Sequence, residues 1–277
     1  MILSIILLSA LLIIFIPENA YAWGPATHLE LLSRFPYDYL YGNISADIVA
    51  AKNMTEELKH CHNWKVGFNL LKKTSSPSQE AFAYGYLSHL AADTIAHNYY
   101  IPERLLISFS SRILRHTYWE LRFDAMADKK VWTLPKQIEK EVHRDNDKLL
   151  DTVLEDTAFS FRTNKTIFSS ILLIHRIEQW NRMIGILSSR SKWILTHNDK
   201  NHYYQMSKNA VVDFLNNGNK SGCIKEDPTG RIRLDNAKKI RKRLKVLKWN
   251  GDDWERYLKN ALNALMPKYN PPKFPAK

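Results

Sequence analysis

"SHLAADTIAHNYY", residues 88–100, places His89, Asp93 and His97 at intervals of four along an otherwise apolar segment. On an α-helix, positions i, i+4 and i+8 drift only about 80° around the axis, so the three side chains share one face. Gly85, Ala91, Ala92 and Ala96 beside them are small enough to let another helix approach closely. "HTYWELRFD", residues 116–124, repeats the interval with His116, Glu120 and Asp124. A single His or Asp on a helix is ordinarily a surface or hydrogen-bonded core residue. Two facing stripes on consecutive helices point instead to a metal site inside a helical bundle, with Asp124 as a supporting or solvated carboxylate. Imidazole and carboxylate donors without paired thiolates favour zinc, with manganese and iron as alternatives.

The rest of the chain reads as helix. Ser76-Pro77-Ser78-Gln79 has the form of an N-cap, a proline at the first helical position and a capping-box glutamine. The helix it opens is expected to run to about Tyr100 and to end before Pro102. Further helices are expected from about Arg104 to Lys130, after Pro135, and over 166–187, 202–216, 235–248 and 251–265. Alternating β patterns are nearly absent. "NNGNKSGCIKEDPTG", 216–230, is the one loop-rich break and a candidate subdomain boundary. The expected fold is all-α, a multi-helix bundle with the metal cluster in a cleft between helices. Its expected parts are a signal peptide (1–22), a catalytic region (23–130), a helical continuation (131–215) and a basic helical C-terminal segment (216–277).

Residues 3–16 are continuously apolar or small, and Pro17 and the small-x-small pattern ending at Ala22 follow. This predicts a secretory signal cleaved before Trp23, giving a secreted or periplasmic protein, with an uncleaved anchor as the alternative. No Cys stands at the cleavage point, so a lipoprotein anchor is not expected. The formal net charge is +12. Beyond the leader, 40 basic residues face 27 acidic ones (28 less Glu18), a balance that favours phospholipid headgroups, nucleic acid or another anionic partner. Two cysteines, Cys61 and Cys223, allow one disulfide and no disulfide framework.

Further candidate ligands precede the stripes: Asp47, His60 and His62, and His28 close to Trp23. "AWGPATH", "HCHNW", "GYLSHLAADTIAHNYYIP" and "HTYWE" together resemble the bacterial zinc-dependent phospholipase C family, which is related to three-zinc, single-strand-specific nucleases. The resemblance covers roughly residues 23–125 and implies a helical bundle holding up to three zinc ions. It implies that Trp23, through its amine and carbonyl, and His28 bind one zinc. Asp47, His62 and His89 would hold a second, Asp93 would bridge these two, and His97, His116 and Glu120 would hold the third. His62 is preferred over His60 because "HNW" matches the family's ligand and aromatic segment. The intervals Trp23–His28 and Asp93–His97 are shorter than in the characterised phospholipases, a departure that bears on substrate geometry more than on metal binding. The implied chemistry is hydrolysis of a phosphodiester by zinc-activated hydroxide, with Asp47 as the catalytic carboxylate. Phospholipid, or a membrane surface, is the expected partner. A single-strand nuclease and an exported, metal-stabilised binding protein without turnover are the alternatives.

"NAKKIRKRLKVLKW", 236–249, clusters basic side chains around Ile240, Leu244 and Leu247, which share a helical face. Two readings stand side by side: docking on an anionic membrane or nucleic acid, or a helix packed by a narrow apolar face with a solvated basic exterior.

Overall fold

The computed structural model describes residues 23–33, 35–48, 61–111, 116–128, 130–131, 134, 138, 143–154, 160–166, 193–265 and 269–273. The leader at 1–22, His60, most of the helix expected after Pro135 and nearly all of the one expected at 166–187 lie outside these residues. Among the described residues there are helices and no strand. They are α1 (Pro25–Leu32), α2 (Tyr37–Ser45), α3 (Trp64–Lys72), α4 (Pro77–Ile95), a π-helical turn (Ala96–Tyr100), α5 (Ile101–Ile107), α6 (His116–Asp124), α7 (Arg144–Asp151), α8 (His197–Asn217), α9 (Arg231–Asn250) and α10 (Trp254–Ala264). None of them is long and apolar enough to cross a membrane.

α4 is the central element, packed against α2, α3 and α8. Ser76 accepts from the backbone N–H of Gln79, and Pro77 occupies the first turn. The Gln79 side chain accepts from Ser75 instead of closing a box on Ser76. Every residue from Gly85 to Pro102 is buried, which is how a helix with apolar side chains all round must sit. His89, Asp93 and His97 therefore lie in the middle of the bundle, where water cannot compensate them.

The helix does not stop before Pro102. It widens into the π-helical turn, with Ile101 N–H reaching the carbonyl of Ala96, and continues as α5. The wide turn restarts the helical register, so Pro102 falls in the first turn of α5, where its missing N–H has no intrahelical partner to lose. The single helix expected over 104–130 is also broken. Ser108 Oγ donates back to the Arg104 carbonyl at 2.6 Å and accepts from Trp119 Nε1 at 3.3 Å. A serine side chain competing for the backbone ends α5 there, and α6 packs back on α5.

α2 and α4 meet without a side-chain layer between them. A Cβ at Gly42 would lie 1.9 Å from the Phe82 carbonyl oxygen, and one at Gly85 would lie 2.0 Å from that of Tyr39. α8 starts earlier than expected because Thr196 and Asp199 form a full capping box. The 216–230 stretch is folded against the π-helical turn and α3: Asn98 Nδ2 donates to the Asp227 carbonyl and Trp64 Nε1 to that of Glu226.

Candidate metal centre

Six elements bring the buried polar side chains together. His28 comes from α1, Asp47 from the turn after α2, His62 from just before α3, His89 and Asp93 from α4, His97 from the π-helical turn, and His116 with Glu120 from α6. All eight are at most 4 % exposed. They form three groups in which one donor atom per residue lies within 4.8 Å of the others: His28, Asp47 and His89; His62, His89 and Asp93; His97, His116 and Glu120. His89 belongs to the first two, so those two make one compound cluster.

Within it, the Nε2 atoms of His62 and His89 are 2.9 Å apart. Asp93 Oδ2 is 3.1 Å from each of them. Asp47 Oδ1 is 3.3 Å from His62 Nε2 and 3.9 Å from His89 Nε2. Donors bound tetrahedrally at about 2.0–2.2 Å stand about 3.3–3.6 Å apart, so this spacing suits a zinc-sized ion. The other Asp93 oxygen, Oδ1, lies 3.2 Å from His28 Nε2. That pair is close but not aligned as a hydrogen bond, and neither Asp93 oxygen has a hydrogen-bond partner among the described residues. The His28 and His89 rings stack at 3.9 Å.

In the third group, His116 Nε2 is 2.8 Å from Glu120 Oε1, and the His97 and His116 rings meet edge to face. His97 Nδ1 sits 2.5 Å from the carbonyl oxygen of Pro228. A carbonyl oxygen only accepts, so Nδ1 carries the proton and Nε2 is left with a lone pair. That Nε2 is buried without a hydrogen-bond partner among the described residues. Such an atom costs about 1–3 kcal/mol when nothing compensates it, and a cation would.

Burial pushes His89 and His97 down to about 4, which keeps both imidazoles neutral, the form that binds metal. Burial alone would raise the Asp93 carboxyl, but the imidazoles of His89, His28 and His62 outweigh it and hold the group well below the usual carboxylate range. A buried carboxylate facing several imidazole nitrogens is the donor set of a divalent metal.

The support around the ligands follows a similar logic. Asp124 joins no ligand group. It accepts from the backbone N–H groups of Ala26 (3.1 Å) and Thr27 (2.9 Å) and from Thr27 Oγ1 (2.5 Å), thereby capping the helix that carries His28. Burial raises its carboxyl to about 6 against these hydrogen bonds. Trp23 is fixed by its side chain: the indole donates to the Ala92 carbonyl and to Ser207 Oγ and packs on Tyr100 and Phe123. Cys61 and Cys223 are both buried and unbridged, so the possible disulfide is absent. Cys61 Sγ lies 3.3 Å from His62 Nδ1. The sequence reading missed Pro228 and Gly230. Their signal was the Pro-Thr-Gly turn in the loop-rich break, but nothing in it names His97 as the partner.

An all-α bundle with a buried, multi-histidine carboxylate cluster defines a class of helical metalloprotein. The family described as zinc dependent phospholipase C matches residues 5–169, more than half of the chain, and the chain belongs to that family. The match extends beyond the quoted motifs in both directions and includes every ligand candidate. No curated protein and no solved structure matches the chain.

Proposed function

We propose that the chain is an exported phosphodiester hydrolase that cleaves phospholipid at the headgroup phosphate, releasing diacylglycerol. The observation that carries this reading is Asp93, whose two oxygens face two different sets of imidazoles, as a carboxylate shared between two ions would. In this reading Asp47, His62 and His89 would hold one zinc. His28, with the amine and carbonyl of Trp23, would hold a second, with Asp93 available to both. His97, His116 and Glu120 would hold a third. Zinc there would supply positive charge to the phosphoryl oxygens and acidify a water toward a pKa of about 7.

The chain's own residues supply the rest. Burial keeps the His89 and His97 imidazoles unprotonated, so protons do not compete for those two nitrogens near neutral pH. Asp47 belongs to the compound cluster, 3.3 Å from His62 Nε2 and 3.9 Å from His89 Nε2, and is the carboxylate assigned to orient and deprotonate the attacking water. Trp23 acts through its backbone only if the chain is cleaved before it, because a preceding residue turns the amine into an amide. Its anchored indole would then hold that new terminus beside α4.

Protein processed to Trp23 and protein retaining the leader are to be compared for zinc content, and each assayed on phospholipid vesicles and on single-stranded DNA. The expected result is diacylglycerol from the processed form, abolished by chelator and restored by zinc. Nucleotide release with vesicles untouched would make the nuclease reading the better one. Absence of both activities in zinc-loaded protein would leave a metal-stabilised binding protein.

A further inference from the structure

α9 lies outside the segment matched by the family, and its two faces do different things. Leu234, Ala237 and Leu244 are buried, and the helix packs on α5 and the π-helical turn. Several of its basic side chains are committed to the protein. Arg241 donates to the carbonyls of Phe109 and Ser111. Arg233 lies over the Tyr99 ring and Lys248 over that of Trp254, while Lys238 pairs with Asp235 at 3.7 Å. Lys239, Lys242 and Arg243, by contrast, are exposed and make no ion pair among the described residues.

Those three residues share the outward face with apolar side chains. Ile232 is 74 % exposed, Val246 48 % and Trp249 90 %. At 100° per residue, the six positions fall within an arc of about 120°. Surface helices of globular proteins normally turn polar side chains outward, so three large apolar groups interleaved with uncommitted cations on that arc call for a partner. The chemistry that suits both is a lipid–water interface: anionic headgroups for the cations, the acyl boundary for the apolar groups, and the headgroup level for an indole. Of the acidic residues nearby, Asp235 falls on the same arc and is paired with Lys238, while Asp252, Asp253 and Glu255 lie past the turn at Gly251, with Asp253 occupied in capping α10. At its other end the face begins two residues after Gly230, where an added Cβ would meet His97 at 2.5 Å, so that end of the helix is the one beside the candidate metal centre.

We propose that the outward face of α9, comprising Ile232, Lys239, Lys242, Arg243, Val246 and Trp249, docks the protein on an anionic phospholipid bilayer. This rests on the phospholipase reading for its purpose, but its test does not need turnover. Each basic side chain close to an anionic membrane raises affinity about fivefold.

The test measures binding of the zinc-loaded chain processed to Trp23 to phosphatidylserine–phosphatidylcholine vesicles and to pure phosphatidylcholine vesicles. The readout is the ratio of the two affinities. The triple variant Lys239→Ser, Lys242→Ser, Arg243→Ser is expected to lower that ratio about hundredfold, and Trp249→Ser to weaken binding to both vesicles several-fold. Helix content and turnover of a soluble phosphodiester should stay unchanged in both variants. Replacing the committed Arg241 by Ser should instead lower thermal stability. An unchanged ratio in the triple variant overturns the docking proposal even if vesicles are hydrolysed. A lost ratio supports it even if no substrate is turned over. Equal loss of binding to a single-stranded oligonucleotide, with no preference for anionic vesicles in the parent, overturns it in favour of nucleic acid.

Discussion

The imidazole of His97 donates from Nδ1 to the carbonyl oxygen of Pro228, 131 residues further along the chain. One hydrogen bond thus fixes both the tautomer and the aim of the nitrogen that faces His116 and Glu120. Hydrogen bonds to the far nitrogen of a ligating histidine are a general means of setting metal affinity, and here the bond comes from the C-terminal part of the fold.

Gly230→Ala is expected to disturb this arrangement. Gly230 has φ +56°, a conformation that side chains other than glycine's rarely adopt. A Cβ there would lie 2.5 Å from both the Cβ and the carbonyl oxygen of His97. Zinc affinity at the His97 group should fall about 10- to 100-fold, with the compound cluster retaining its metal. Metal titration followed by mass spectrometry of the intact protein checks this, and full occupancy at all sites would refute it.

Asp93→Asn keeps the shape but removes the shared charge and turns one oxygen into a donor aimed at imidazole nitrogens. The expected outcome is loss of metal from the compound cluster, with the His97 group still loaded. The control is His143→Gln. His143 is buried, stacked on Tyr41 and bonded to the Ile138 carbonyl, but lies in no ligand group. It should lower stability and leave metal content whole. The reverse pattern would break the assignment.

Asp124→Ala removes the acceptor for three donors at the start of α1. The expected cost is about 1–2 kcal/mol, read as a lower urea midpoint, with Asp124→Asn in between. Because α1 carries His28, zinc affinity should fall as well. A stability loss without any change in zinc affinity would make Asp124 a cap and nothing more.

The metal-free protein should be acid-labile. Unfolded, His89 and His97 take up protons near 6.5; folded, burial delays this to about 4. Between those values the unfolded state binds more protons, so stability falls as pH drops from 6.5 toward 4. Asp93, held low, pulls the same way below its ordinary value. Asp124, raised to about 6, opposes the trend, since the folded state binds its proton first. The net loss at pH 4.5 relative to pH 7 is on the order of 3 kcal/mol. Urea midpoints of chelated protein at the two pH values decide it; an equal or higher midpoint in acid would contradict the assignment of neutral, buried imidazoles.

The all-α class and the clustering of the two His and carboxylate stripes were legible because helical spacing is local. His89 with Asp93, and His116 with Glu120, are neighbours by the geometry of one turn and need no tertiary information. The division of labour along the first stripe was not legible from spacing. His97 turns to α6 because the backbone widens between Ala96 and Tyr100, and that widening depends on Pro102 and on what packs around it. The break at Ser108 is one hydroxyl's choice of acceptor, which an otherwise helical pattern conceals. Pro228, Gly230 and Ser207 were invisible for a different reason. Each acts on a residue more than a hundred positions away, and nothing in its own neighbourhood marks that partner.

The crossing of α2 and α4 has a consequence for how freely the interior can change. Asp47 follows one helix and His89 sits on the other, and at Gly42 and Gly85 the two backbones touch directly. Their separation is therefore set by the covalent dimensions of the main chain, with no layer of side chains to swell or shrink. Substitutions elsewhere in the core can accumulate over generations without moving this pair of donors, whereas a single added methyl group at either glycine would push them apart. The tolerance of the interior and the intolerance of two positions in it are one property of the same contact.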